Sequence, residues 1–331
     1  MSPSNQPSTA RTIALAGEEV GRRTLWTELK ANSAPLLFLS PATILVFLFF
    51  FLPVLLTIFI SMTDMSTATF GQFNWVGLTN YVKMAKFRWT KVILKNTAIY
   101  VFFTLTLFNV GLGLVIALVT THMERRVGFF FRTLWLLPRI TPSVVYVMMW
   151  RWIAADTPYG ILNQHVLGPL GVRPRDWVTA APWVMVILVN GFIGASFGMI
   201  IFTSAIESIP KDYTRAARVD GASTWQSIRY VIIPMIKWPL LFVTTYQTLS
   251  LLTSFEQILL LTDGGPGRYG TEVWALNAYH RALANYWGNI QFGYGAALAS
   301  VLVVIGIIMS FVYLRVFQFG SLVQEPRIET L

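Results

Sequence analysis

Six stretches of the chain are apolar for long enough that an α-helix would cross the hydrocarbon core of a bilayer, which takes roughly 20 residues. They run over 35–60, 96–121, 132–154, 181–205, 236–261 and 294–317, the third of them interrupted by Pro138 and Pro142. None shows the alternation of apolar and polar positions expected of an outer-membrane barrel strand, so all six read as helices. The pattern predicts an all-α integral membrane protein. Its parts are an N-terminal segment over 1–34, a six-helix transmembrane domain over 35–317 and a C-terminal tail over 318–331. Residues 1–15, rich in Ser, Thr and Pro, are expected to be disordered. The first 33 residues are polar and mixed in charge, and the first apolar run is too long and too late for a cleavable signal peptide.

Composition agrees with the pattern. Hydrophobic residues make up 55% of the 331 and charged residues 12%, against about a quarter charged in a soluble domain. Mean hydropathy is +0.58, and a soluble protein with this balance would expose large apolar patches. The chain has no cysteine, which excludes disulfides and cysteine metal sites. His122, His165 and His280 are scattered, so no metal and no cofactor is expected on this chain. The net charge of +10 would suggest nucleic acid in a soluble protein; here it fits basic loops beside anionic lipid. There is no G-x-x-x-x-G-K-S/T run, so the chain does not bind ATP through a P-loop. No Ser-His-Asp set stands out either. Nothing in these residue patterns marks an enzyme.

Basic residues give a modest orientation signal. With the N-terminus inside, inner segments carry 14 Lys or Arg and outer loops nine, while Arg139 and Arg151 lie within the third run. The sign is the expected one. The cluster Lys83, Lys86, Arg88, Lys91 and Lys95 before the second run points the other way, so orientation rests on a motif.

That motif occupies the longest inner loop, Ser208 to Pro234, within a coupling segment over 207–236. It reads as two short helices and a turn. Pro210 suits a first helical turn. Ala216 and Ala217 permit close contact, and Asp220-Gly221 is a turn or cap signal. Ser223 suits the cap of an amphipathic segment carrying Trp225, Ile228 and Ile232, and Pro234 begins the fifth helix. On physics alone an ordinary interfacial loop is an equal reading.

The run resembles the EAA coupling loop of type I ABC importer permeases, the maltose- and glycerol-phosphate-permease-like family. Ala216, Ala217, Asp220, Gly221, Ala222 and Pro234 match its pattern in spacing, while Arg215 stands where the family has Glu. Three further runs resemble the family in order. They are Trp75-Val-Gly-Leu-Thr-Asn-Tyr81, then Leu137-Pro138 through Trp152 with Tyr159-Gly-Ile-Leu-Asn163, then Leu261-Thr-Asp-Gly-Gly-Pro266 with Thr271. The resemblance implies a six-helix permease fold in a bacterial inner membrane with both termini cytoplasmic. It also implies a second permease subunit, a periplasmic solute-binding protein, and two ATPase subunits that hold ATP and Mg and dock on the coupling loop. Arg215 would remove or reverse that loop's usual acidic contact. Transport would proceed by alternating access.

Polar groups inside apolar helices are costly in lipid and tend to face a cavity or a partner. The fifth run has Gln247, Ser250 and Ser254 at helical spacing, with Thr253, Glu256 and Gln257 nearby; the fourth has Asn190, Gly194 and Ser196; the third has Arg139 and Ser143. Small residues also serve to pack helices closely, and that reading stands beside the cavity reading. The family resemblance implies solute contacts at Arg139, Ser143, Asn190, Ile193, Gly194, Gln247, Ser250, Leu251 and Ser254. Arg139 departs from the family, where an aromatic residue is usual. Its planar guanidinium suits a carboxylate, phosphate or sulfonate, which points to an anionic sugar derivative; pairing with Glu256 or snorkelling is the equal alternative. A neutral oligosaccharide or a glycerol-phosphate compound competes as solute. A secondary transporter and a membrane scaffold are the competing classes. Arg151 between Trp150 and Trp152 reads as an interfacial anchor.

Overall fold

The computed structural model describes residues 33–156, 160–284 and 288–316. The expected disorder of 1–15, the tail over 318–331 and Tyr159 lie outside them. The described residues are helical, apart from turns and one isolated bridge between Thr63 and Trp75. The chain divides into two units, 1–56 and 57–331.

The first unit contributes most of α1 (Leu37–Ser61), a span with a π-turn at Phe47–Phe51. Its apolar side chains are largely exposed, as those of a lipid-facing helix must be.

The second unit holds the remaining helices. They are α2 (Thr79–Lys86), α3 (Thr90–His122), α4 (Arg125–Ile140), α5 (Ser143–Ala154), α6 (Pro182–Glu207), α7 (Lys211–Val219), α8 (Thr224–Met235), α9 (Lys237–Thr253), α10 (Glu256–Thr262), α11 (Trp274–Ala282) and α12 (Phe292–Val316). Among the described residues α1, α3, α6 and α12 are long and apolar enough to cross a membrane, and the α8–α9 pair, bent by 69° at Ile236, makes at most a fifth span.

The six apolar runs therefore meet the structure unevenly. The third is divided between α4 and α5. Pro138 sits inside α4 without ending it, while Thr141 turns extended ahead of Pro142, as the residue before a proline tends to. The fifth run is also divided. It stops at Thr253, Ser254 is extended, and α10 resumes at Glu256. Pro234 lies within α8 rather than opening the long helix, which starts at Lys237.

The core of the second unit is α6 packed on α3. Lipid offers helices no hydrophobic drive to associate, so close approach of small residues does that work. Gly191, Gly194 and Gly198 line the α6 face that meets the π-segment Thr104–Leu112 of α3. A Cβ built on Gly194 would sit 2.0 Å from Asn109 Oδ1. Around this contact Tyr100, Val147, Val189, Leu251, Ile258 and Leu276 form one buried apolar cluster.

Two short motifs fix the ends of the bundle. Asn80 Nδ2 donates to the carbonyls of Ser61 and Thr63, at 2.9 and 2.8 Å, and Tyr81 shares hydrogen bonds with Ser61 and Ser300. This is the structural content of the Trp75–Tyr81 run. In the Leu261–Pro266 run, Thr271 bonds Thr262 and the Gly265 carbonyl, and Asn96 Nδ2 donates to the carbonyls of Tyr269 and Glu272.

Candidate functional site: a polar path and a coupling segment

The predicted solute residues come together on α4, α5, α6 and α9, and they divide into two kinds. Some are committed to one another. Asn190 is buried in α6, where its Nδ2 donates to Ser254 Oγ and to Gln257 Oε1, both at 3.1 Å. Tyr100 of α3 donates to the same Ser254 oxygen at 3.1 Å. Gln247 is buried and donates from Nε2 to the Gly194 carbonyl at 3.1 Å. Leu251 lies in the apolar cluster, Ile193 packs at its edge, and Gly194 is the close-approach point to Asn109. Each of these residues sits at a contact between helices.

Others present free surface. Ser250 is exposed on α9 and Arg139 on α4. Arg139 has no carboxylate partner among the described residues. Its guanidinium lies over Phe197 of α6, 5.5 Å from the ring centroid, and Phe197 stacks on Tyr246 at 4.8 Å. The ion pair weighed between Arg139 and Glu256 is not formed; Glu256 accepts from Ser143 instead. Arg151 donates to the Leu260 carbonyl at 3.3 Å, tying α5 to α10.

Sequence reasoning missed Tyr100 and the Phe197–Tyr246 shelf. The signal for Tyr100 was available, because a phenol inside an apolar span needs a hydrogen-bond partner. The aromatic shelf joins residues 49 apart, and no local pattern announces it.

The coupling segment folds as the predicted two helices and a turn, with Pro210 one position ahead of the first helix and Pro234 inside the second. Pro210 is the N-cap of α7, and Asp220 and Gly221 end that helix. Ala222 N–H reaches the Ala217 carbonyl and Gly221 N–H the Arg218 carbonyl, at 2.9 and 3.1 Å. This Schellman pattern needs a left-handed residue, and Gly221 has φ +79°. Ser223 and Gln226 then form a reciprocal capping box for α8. Arg215 is exposed and pairs with Asp212 at 3.3 Å, while Ala216 is exposed and Ala217 and Ala222 half-buried. Tyr213, Val219, Trp225 and Tyr230 stand exposed on this otherwise charged segment. At the same end of the bundle Arg132 of α4 bridges to Glu207 of α6 at 2.7 Å.

The far end of the α9–α10 run carries the turn after α10. His280 of α11 sits between two carboxylates, Nδ1 3.0 Å from Glu272 Oε1 and Nε2 3.0 Å from Asp263 Oδ1. Only the doubly protonated ring can donate to both. Burial opposes the charge, but the hydrogen bonds and charges of Glu272 and Asp263 outweigh it and hold the pKa above the usual imidazole value.

Among the described residues no group of His, Cys, Asp and Glu could hold a metal ion. What the fold and these sites define is a multi-pass membrane subunit of a transport system, with a polar seam between helices and an exposed helical elbow.

The chain belongs to the family described as binding-protein-dependent transport system inner membrane component, whose model matches residues 109–318. It is thus a permease subunit of an ABC importer in the inner membrane rather than an enzyme, and its system includes a solute-binding protein. It is 32% identical over 285 residues to a probable ABC transporter permease protein of Pyrococcus horikoshii, covering 84% of this chain and 94% of that one. It is 30% identical over 285 residues to the alpha-glucoside transport system permease protein AglF of Rhizobium meliloti, covering 83% and 80%. Its fold matches a chain in a crystal structure of a bacterial ABC transporter that imports the acidic polysaccharide alginate. That match has a TM-score of 0.70 and 22% identity, over 91% of this chain and 99% of the other. The type I importer permease fold expected from the sequence is the fold found.

Proposed function

We propose that the chain is one half of the translocation path of an ATP-driven importer of a sugar or sugar derivative, working by alternating access. The alpha-glucoside permease among its relatives supports the sugar class. In this reading 35–317 is the membrane domain and both termini are cytoplasmic. The 207–236 segment docks on an ATPase, through Arg215, Ala216, Ala217, Asp220, Gly221 and Ala222 beside the exposed Tyr213, Val219, Trp225 and Tyr230. ATP and Mg are held by the ATPase chains. Solute passes Arg139, Ser143, Asn190, Ile193, Gly194, Gln247, Ser250, Leu251 and Ser254, the buried members shaping the wall and the exposed ones meeting the cargo.

Arg139 carries the anionic form of the proposal. An unpaired guanidinium within a helix bundle costs several kcal/mol unless something hydrates or pairs it. Glu256 bonds Ser143 and makes no ion pair with Arg139 among the described residues. A passing carboxylate, sulfonate or phosphate would complete it. Glu256 favours a second reading, since an exposed carboxylate on the path accepts hydroxyls readily and so suits a neutral oligosaccharide.

ATP hydrolysis by the reconstituted complex, stimulated by its binding protein loaded with candidate sugars, tests the proposal. Stimulation by at least one sugar is expected. Dependence of uptake on an ion gradient instead of ATP would overturn it. Arg139→Gln should lower uptake of an anionic sugar about tenfold or more, the loss of one charge-assisted contact of about 1.5–3 kcal/mol. Unchanged uptake of every anionic sugar would leave only the neutral reading.

A further inference from the structure

A second concave site lies at the end of the bundle away from the coupling segment. It is a cavity of about 600 Å³ between the start of α3, the turn after α10, and α11. That volume falls within the range of about 300–1,000 Å³ typical of small-molecule sites. Arg88, Arg268 and Arg281 converge on it, with Trp89 and Tyr269 between them. None of the three arginines has a carboxylate partner among the described residues.

The charge on the wall decides what the cavity can take. Its two carboxylates, Asp263 and Glu272, are both engaged by His280. One imidazolium offsets one of those two negative charges and one guanidinium the other, which leaves two of the three guanidiniums without compensation. Two of the three, Arg88 and Arg281, are also held in place. Arg88 lies over Trp89, 4.9 Å from the centroid, and Arg281 lies over Phe87 at 5.4 Å while donating to the Tyr269 hydroxyl at 3.3 Å. Trp89 and Tyr269 stack obliquely at 5.4 Å. Guanidiniums beside aromatic side chains suit a hydroxylated, saturated ring bearing a carboxylate, since the fork binds the acid and the ring's apolar C–H edge rests against the aromatic groups.

We propose that this cavity binds a carboxylated sugar, apart from the polar path through the helices. The proposal rests on the importer reading for the supply of sugar to this face. An acidic side chain of the docked solute-binding protein carries the same chemistry, and the experiment separates the two sources.

The test uses the full permease–ATPase complex in lipid nanodiscs and sodium glucuronate as probe, with glucose as the neutral control, read by calorimetry. Glucuronate should bind and glucose should not at equal concentration. The Arg88→Gln/Arg268→Gln variant should weaken glucuronate at least tenfold, Arg88→Lys/Arg268→Lys should restore part of it, and Arg126→Gln, an exposed arginine of α4 outside both the path and the cavity, should leave it unmoved. The proposal falls if glucuronate does not bind, if the double variant binds it as well as the parent, or if Arg126→Gln weakens it as much as the double variant does. It also falls if the variant weakens only the affinity of the binding protein, which would make a protein carboxylate the occupant. ATP hydrolysis stimulated by loaded binding protein is read on the same samples. Stimulation without glucuronate binding sinks this site alone, whereas no stimulation by any sugar sinks the importer reading.

Discussion

Asn190 and Gly194, one turn apart on α6, show how one short stretch serves two physical ends. Asn190 spends both of its amide hydrogens on Ser254 and Gln257, and replacing it with Leu removes both bonds, leaving Ser254 with the Tyr100 donor and Gln257 with the Ser254 donor. Interhelical hydrogen bonds in membranes are worth about 0.6–2 kcal/mol, so Asn190→Leu should lower the melting temperature of the detergent-purified complex by a few degrees. Gly194→Val should cost more. Its Cβ would collide with the Asn109 side chain, which is buried and has little room to move aside. Overpacking of this kind costs about 1–3 kcal/mol, and loss of folded complex on size exclusion is the check. Both residues were visible in the sequence as polar or small positions in an apolar run. Their partners were not, because Asn109 and Gln257 lie on other helices and helical spacing says nothing of which helix faces which.

At the scale of elements, the coupling segment was legible almost residue by residue, because caps are local. Gly221, Ser223 and Gln226 act on backbone groups within four positions, and short-range spacing captures that. A non-glycine at Gly221 meets a left-handed cost of about 1–2 kcal/mol. Gly221→Val should therefore uncouple ATP hydrolysis from the loaded binding protein while leaving the long helices folded, which circular dichroism would report. The long helices were less legible. The breaks at Thr141 and Ser254 divide runs that look continuous in hydropathy, since hydropathy is blind to backbone direction. The α10–α11 turn gives a pH prediction. His280 is raised above its unfolded pKa, so its stabilisation is complete below the unfolded value and is lost as pH rises through the folded one. Hydrogen exchange over 263–282 should thus quicken, beyond the intrinsic rate, as pH rises past the ordinary imidazole value and through the raised one. In His280→Gln that extra rise should vanish. An unchanged profile would remove the two carboxylate bonds from the account.

For the whole molecule, apolar run length made the membrane class plain before any fold was known, and the coupling loop made the family plain. The number of spans did not follow as directly, because two runs are divided and one is bent. Nor did the Arg88–Arg268–Arg281 cavity, whose walls come from segments up to 193 positions apart. The exposed Tyr213, Val219, Trp225 and Tyr230 imply that the chain is incomplete alone, since apolar groups on a polar segment mark a partner surface. Expressed without its ATPase, it should aggregate on extraction, and co-expression should rescue a monodisperse peak.

The 69° elbow at Ile236 has a mechanical consequence. In the proposed alternating-access cycle it would serve as a bell crank, with α8 the short arm and α9 the long one. At about 1.5 Å per residue, the 12 residues of Thr224–Met235 give an arm of about 18 Å. A swing of about 10° would move its tip by about 3 Å, the scale of one side chain. The long arm would turn through the same angle and carry Ser250 with it. A sideways push at one membrane face would then become a tilt of the proposed wall at the middle, with no need for any helix to slide along its axis.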